Sequence, residues 1–178
     1  MKGNFAHLIK PLGITLLILI VFEILGTAFL PMMGLTKYRV PFNILIVLYM
    51  GFKLETPFVS IMILLIQYTN SFFSIEGWEM GTVAGVMICI VISYLKDLLH
   101  LTSSVITIIV TQIFQSFWFL IVSSLIYLKT DDFSYIIQKF WRFLPESIVI
   151  SLMAPFLFRI FDAIWKMDSD NSELGSNV

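Results

Sequence analysis

Long apolar runs, broken at intervals by short clusters of Pro, Gly and charged residues, organise this chain. A hydrocarbon core about 30 Å thick is crossed by about twenty residues of helix, which satisfies every backbone polar group internally. Cut on that ruler, the sequence predicts a bundle of six transmembrane helices. Span one covers 11–30, ended by Pro31 and the 34–39 linker, and span two covers 40–52, closed by Lys53, Glu55 and Pro57. Span three covers 57–73, before the 76–79 turn, and span four covers 80–95, closed by Lys96, Asp97 and His100. Spans five and six cover 101–128 and 145–165. Span two has the length of a re-entrant or interfacial piece; it is read as a span because Lys53 can snorkel to the headgroups and a thinned bilayer accommodates it.

The stretch 131–143 differs in kind. Phe133, Ile137, Phe140 and Leu144 recur at helical spacing, with Asp132, Lys139 and Arg142 elsewhere around the wheel. That predicts an amphipathic helix, with Asp131 and Asp132 suited to its N-terminus and Arg142 to its last turn. Tyr135 and Trp141 place it in the interface plane before Pro145 turns the chain inward; the alternative is a partly solvated connector. The polar tail, 167–178, is expected to be disordered.

Composition settles the solvent. Of 178 residues, 58% are hydrophobic and 13% charged, with a mean hydropathy of +0.94, whereas a soluble domain carries roughly a quarter charged residues. Eleven basic and twelve acidic residues cannot coat a soluble fold of this size. The fold class is therefore an all-α integral membrane protein, one transmembrane domain over 1–166. A net charge of −1 without a basic cluster excludes nucleic acid as a partner. Cys89, the only cysteine, excludes a disulfide framework and a paired thiolate site. Lys2 and Lys10 ahead of an apolar run resemble a secretory signal, but the run is too long and lacks a small-x-small cleavage site, so it is read as an uncleaved span. Basic residues split almost evenly between the two sides, and Lys2 and Lys10 beside span one place both termini in the cytoplasm.

Few residues invite chemistry. Glu23 lies inside span one, where a carboxylate is costly and marks a function by default. No intramembrane Lys or Arg is expected beside it, which leaves a protonated acid bonded to a neighbouring helix, or proton or ion handling. Gln67, Tyr68, Thr69 and Asn70 in span three form a polar stripe, as do Ser104, Thr107, Thr111 and Gln115 in span five, with Gln112 and Ser116 alongside. Such stripes bond helices together, hold a partner's transmembrane helix or line a small-molecule pocket. Gly81, Gly85, Cys89 and Ser93 recur every four residues, giving span four a small face for close approach to an internal helix or another chain. Pro155 is expected to kink or break span six. His7 and His100 lie apart, and no phosphate loop, nucleophile elbow or zinc-protease motif is present, so neither catalysis nor a cofactor or metal is expected.

The order of these features resembles the bacterial rod shape-determining protein MreD family. The resemblance covers most of the chain: the first span, then Pro41 and the short 42–52 helix, the Lys53-Leu54-Glu55 turn, Gly77 and Met80-Gly81 leading into Gly85 and Ser93-Tyr94-Leu95-Lys96, and finally Pro145 and Ala154-Pro155-Phe156-Leu157-Phe158. Members often carry an acidic residue near the end of the third helix, where this chain has Asn70, and the 71–79 loop looks longer than usual. The resemblance implies a noncatalytic scaffold of the inner membrane, binding a single-span MreC-like protein. Through that partner it would reach actin-like MreB and the wall synthases, a SEDS glycosyltransferase and a class B penicillin-binding protein. It also implies a fold similar to the substrate-binding membrane subunits of energy-coupling-factor transporters, hence the alternative function: a small-molecule-binding subunit of a vitamin-type transporter. An intramembrane enzyme ranks third.

Overall fold

The structure, a computed structural model, describes residues 6–34, 38–54, 56–74, 77–95 and 103–174. Expectations for Lys96, Asp97 and His100, and for the His7 side chain, fall outside what is described. The described residues form six helices: α1 (Ala6–Met32), α2 (Phe42–Lys53), α3 (Val59–Ser71), α4 (Trp78–Leu95), α5 (Ser104–Thr130) and α6 (Phe133–Leu174). Stretches in α1, α4, α5 and α6 are long and apolar enough to cross a membrane, and the chain is a helical membrane protein. With 12 and 13 residues, α2 and α3 are only about 18–20 Å long at 1.5 Å per residue, well short of the hydrocarbon thickness.

The shortest helix is the centre of the fold. α2 packs against all five others, and every residue from Phe42 to Met50 is buried, as is Phe52. Its sequence explains this: FNILIVLYMGF is apolar nearly all round, and such a helix has no face to offer to headgroups or water. At Gly51 an added Cβ would lie 3.0 Å from both Cys89 Sγ and Ile92 Cδ1, so glycine lets α2 and α4 approach closely. Lys53 does not simply snorkel: its ammonium lies 3.7 Å from Asp162 of α6, and Tyr49 donates to the same carboxylate at 3.2 Å.

The predicted interfacial helix and span six are one element. α6 runs unbroken for 42 residues with Pro145 and Pro155 inside it, about 63 Å at the standard rise. Each proline removes one backbone donor, yet the helix continues through both. Packing supplies the reason: α6 makes its most extensive contact with α5, and Phe143 stacks on Phe119 with ring centroids 4.6 Å apart just before Pro145. The helix also continues past Trp165 to Leu174, through part of the stretch expected to be disordered. Pro31 likewise lies inside the last turn of α1 rather than beyond its end.

Between α5 and α6 the chain reverses in two residues. Asp131 adopts a left-handed φ of 50° and its N–H returns to Tyr127 O at 2.9 Å, a conformation a short polar side chain tolerates. Asp132 then caps α6: its Oδ1 accepts from Ser134 Oγ at 2.6 Å, Ser134 N at 2.9 Å and Tyr135 N at 3.4 Å. The Ser134 hydroxyl first, then the Tyr135 amide, hold this exposed carboxyl below its ordinary range. A depressed folded-state pKa means stabilisation that is present above the unfolded value and lost as pH falls through the folded one. Protection of the Ser134 and Tyr135 amides, relative to their intrinsic exchange at each pH, is therefore expected to fall below the ordinary carboxylate range, and at neutral pH in Asp132→Ala. Equal protection in the variant and the wild type would remove this cap from the account.

Candidate functional site

Helix direction alternates through the bundle, so α1, α3 and α5 end where α2, α4 and α6 begin. At that end the 38–41 segment turns back against the bundle and brings Arg39 to Glu23. The guanidinium donates to Glu23 Oε2 from Nη2 at 2.8 Å and from Nε at 3.2 Å, and Nη2 also reaches Asn70 Oδ1 at 3.1 Å. The Arg39 backbone N–H donates to Glu146 Oε1 of α6 at 2.8 Å. One residue of a connecting segment thus ties α1, α3 and α6 together. This corrects the expectation that Glu23 lacks a cationic partner. Glu23 is 2% exposed, and an unpaired carboxylate there would be prohibitive. Among the described residues its Oε1 has no hydrogen-bond partner, so the pair is held through a single oxygen.

Beside this ion pair Asn43 Nδ2 donates to Gln67 Oε1 at 3.0 Å. Both side chains are buried, and the Gln67 Nε2 has no partner among the described residues. The Gln67 amide lies directly over Gly81, where any Cβ would collide with it. One turn on, a Cβ at Gly85 would sit 2.8 Å from Ile63 Cγ2 and 3.3 Å from both Trp118 and Val47. The first half of the small face is therefore filled from within, by α3, α2 and α5. The second half is filled only in part: Cys89 packs against Val47 and Gly51 of α2, its Sγ 3.8 Å from Val47 O, whereas Ser93 is exposed. Together with Gly51, Val59, Ser60 and Val86 these two residues line an open groove of about 520 Å³ on the α2–α3–α4 side.

Span five divides similarly. Thr111 bonds back to Thr107 O at 2.6 Å on its own helix, while the glutamines cross to α6. Gln112 Nε2 donates to Ser147 Oγ at 2.9 Å, Gln115 Nε2 to Ser151 Oγ at 3.0 Å, and Ser151 Oγ to Gln112 Oε1 at 2.8 Å. These side chains join α5 to α6 within the chain. The partners Arg39, Glu146, Ser147, Ser151 and Asp162 escape sequence reasoning. A faint signal exists in the spacing, since Ser147 and Ser151 are one helical turn apart and match Gln112 and Gln115.

A cavity of about 360 Å³ opens at this end of the bundle. It is lined by Asn43, Gln67 and Asn70, by Trp118 and Phe119 of α5, and by the part of α6 from Tyr135 to Glu146. Among the described residues no three His, Cys, Asp or Glu side chains are placed to hold a metal ion. No protein-family model, curated protein or solved structure matches the chain.

Proposed function

We propose that this protein is a noncatalytic, MreD-type scaffold subunit of the bacterial lateral cell-wall elongation complex. It sits in the inner membrane with both termini cytoplasmic, α2 and α3 completing six crossings of a locally thinned bilayer. In this reading it holds the transmembrane helix of an MreC-like single-span partner, and through it engages actin-like MreB, a SEDS glycosyltransferase and a class B penicillin-binding protein. The observation that carries the reading is the groove beside Cys89 and Ser93. Small residues of α2, α3 and α4, namely Gly51, Ser60, Cys89 and Ser93, line an open furrow, the form that admits a helix at close range. The Glu23, Gln112 and Gln115 networks add support, because their hydrogen bonds rigidify the bundle rather than converge on a reacting atom. The family's acidic position at the end of the third helix also keeps a counterpart here: Asn70 accepts from Arg39, and Glu23 of α1 supplies the negative charge.

Ser60 and Ser93 are exposed in the groove, so Ser60→Leu and Ser93→Phe fill it without disturbing the core. Affinity purification of the tagged protein from its native membrane in mild detergent is expected to recover a single-span coiled-coil partner. The double variant is expected to reach the membrane at wild-type levels and lose at least nine-tenths of that partner. Undiminished recovery with the groove filled would reject this docking face, and recovery of the wild type alone would reject the scaffold reading.

A further inference from the structure

Around α2 the other five helices form a ring in the order α1, α3, α4, α5, α6, each touching the next and α6 touching α1. Among the described residues α3 and α6 make no contact with each other, so α1 closes the ring over α2 between them. It is also the member held most thinly. Its buried side chains, Pro11, Leu12, Thr15, Leu19 and Glu23, fall on one narrow seam at helical spacing. Beyond Glu23 the helix is exposed on nearly every side, at Ile24, Leu25, Phe29 and Met32. Both threonines of α1 bond back to their own helix, Thr15 to Pro11 O and Thr27 to Glu23 O. Among the described residues, the bonds from Arg39 to Glu23 are therefore the only ones that tie an α1 side chain to another element, with Phe22 stacked on Phe42 beside them. In lipid an apolar seam is a weak tie, because acyl chains are as apolar as the leucines they would replace. At the opposite end Pro11 lacks a backbone donor and Gly13 has open space where a Cβ would be, and such residues are where helices bend.

We propose that α1 is a latched gate, pivoting at Pro11 and Gly13 and held shut by the Glu23–Arg39 pair, whose release opens the gap between α3 and α6 sideways to the bilayer. The two halves of the latch are placed for this. Arg39 is fastened to both walls of the gap, through Asn70 of α3 and, by its backbone N–H, through Glu146 of α6. Glu23 rides on the helix that covers the gap. Arg39 and Asn70 also line the cavity of about 360 Å³, so the opened gap joins that cavity to the lipid.

Double electron–electron resonance on the full-length protein in lipid nanodiscs tests this without any protein partner, so its failure leaves the docking reading standing. In a Cys89→Ser background, nitroxides at Phe29→Cys and Ile148→Cys report α1 against α6, and nitroxides at Met87→Cys and Ile148→Cys report α4 against α6; all three positions are exposed. With the latch intact, each label pair is expected to give one narrow distance. Glu23→Leu/Arg39→Leu removes both charges, and Glu23→Gln removes one at conserved shape. Each should add a second, longer distance between α1 and α6 while the distance between α4 and α6 stays single. A swing of about 15° at Gly13 moves Phe29, about 24 Å further along the helix, by about 6 Å. An α1–α6 distribution unchanged in both variants overturns the gate. Equal broadening between α4 and α6 overturns it as well, because the pair would then hold the whole bundle rather than one helix.

Discussion

Arg39→Leu is expected to destabilise the protein by about 3 kcal/mol, the low end for breaking a buried ion pair, because the arginine is a third exposed while its partner is not. The loss follows less from the attraction removed than from the Glu23 carboxylate left behind at 2% exposure with no cation. Asn70 would lose a donor at the same time. The Glu23→Leu/Arg39→Leu double variant removes both charges, and replacing a buried pair by apolar groups is often close to neutral. It is therefore expected to recover most of the stability, leaving a deficit of about 1 kcal/mol. Reversible unfolding in mixed micelles, followed by tryptophan fluorescence, measures all three variants. A double variant no more stable than Arg39→Leu would show that the pair is not the unit that matters. An Arg39→Leu protein as stable as the wild type would show that Glu23 finds its compensation elsewhere.

The second large effect is steric. Gly85→Ala places a methyl group 2.8 Å from Ile63 Cγ2 with Trp118 and Val47 closing the other sides. Overpacking of this kind costs about 1–3 kcal/mol. Gly81→Ala meets only the end of the Gln67 side chain, which can rotate away at the expense of its bond from Asn43, so its cost should be smaller, about 1 kcal/mol. Gly26→Ala, with nothing within 4 Å of its Cβ, should be neutral or stabilising by up to about 1 kcal/mol through helix propensity. Ile63→Ala provides the check on mechanism: it removes the colliding Cγ2 and should cost less in the Gly85→Ala background than in the wild type. Equal costs in the two backgrounds would mean that α3 and α4 do not meet at this point.

These two sites illustrate different limits of legibility. The four-residue recurrence of Gly81, Gly85, Cys89 and Ser93 is visible in the chain and promises close approach somewhere. Which neighbour fills it depends on where Gln67, Ile63 and Trp118 stand, and those lie on helices whose mutual rotation no spacing encodes. The stripe consequently splits between an internal seam and an open groove. Glu23 states a need for a cation but not its source, because the solution lies sixteen residues on in a connecting segment that appears merely to separate two spans. Pro145 misleads for a related reason. Its missing donor argues for a corner, yet the stacking of Phe143 on Phe119 stabilises α6 against α5 on the approach to the proline, and one absent backbone bond is a small loss against that packing.

Taken alone, the sequence determined the solvent and the element type. Too few charged residues exist to clothe the chain in water, and runs of apolar residues inside a bilayer must close their backbone hydrogen bonds within helices. It also placed most helix boundaries within a few residues, since Pro, Gly and charge clusters act locally. Only the tertiary structure decided that the shortest helix is the centre, that Arg39 reaches back to Glu23, that Gln112 and Gln115 close on Ser147 and Ser151, and that a polar cavity remains between them. Periodicity constrains a helix along and around its own axis, whereas burial, ion pairing and cavities arise from how several axes are placed together, and in lipid that placement is governed by packing and a few hydrogen bonds rather than by a hydrophobic pattern along each segment.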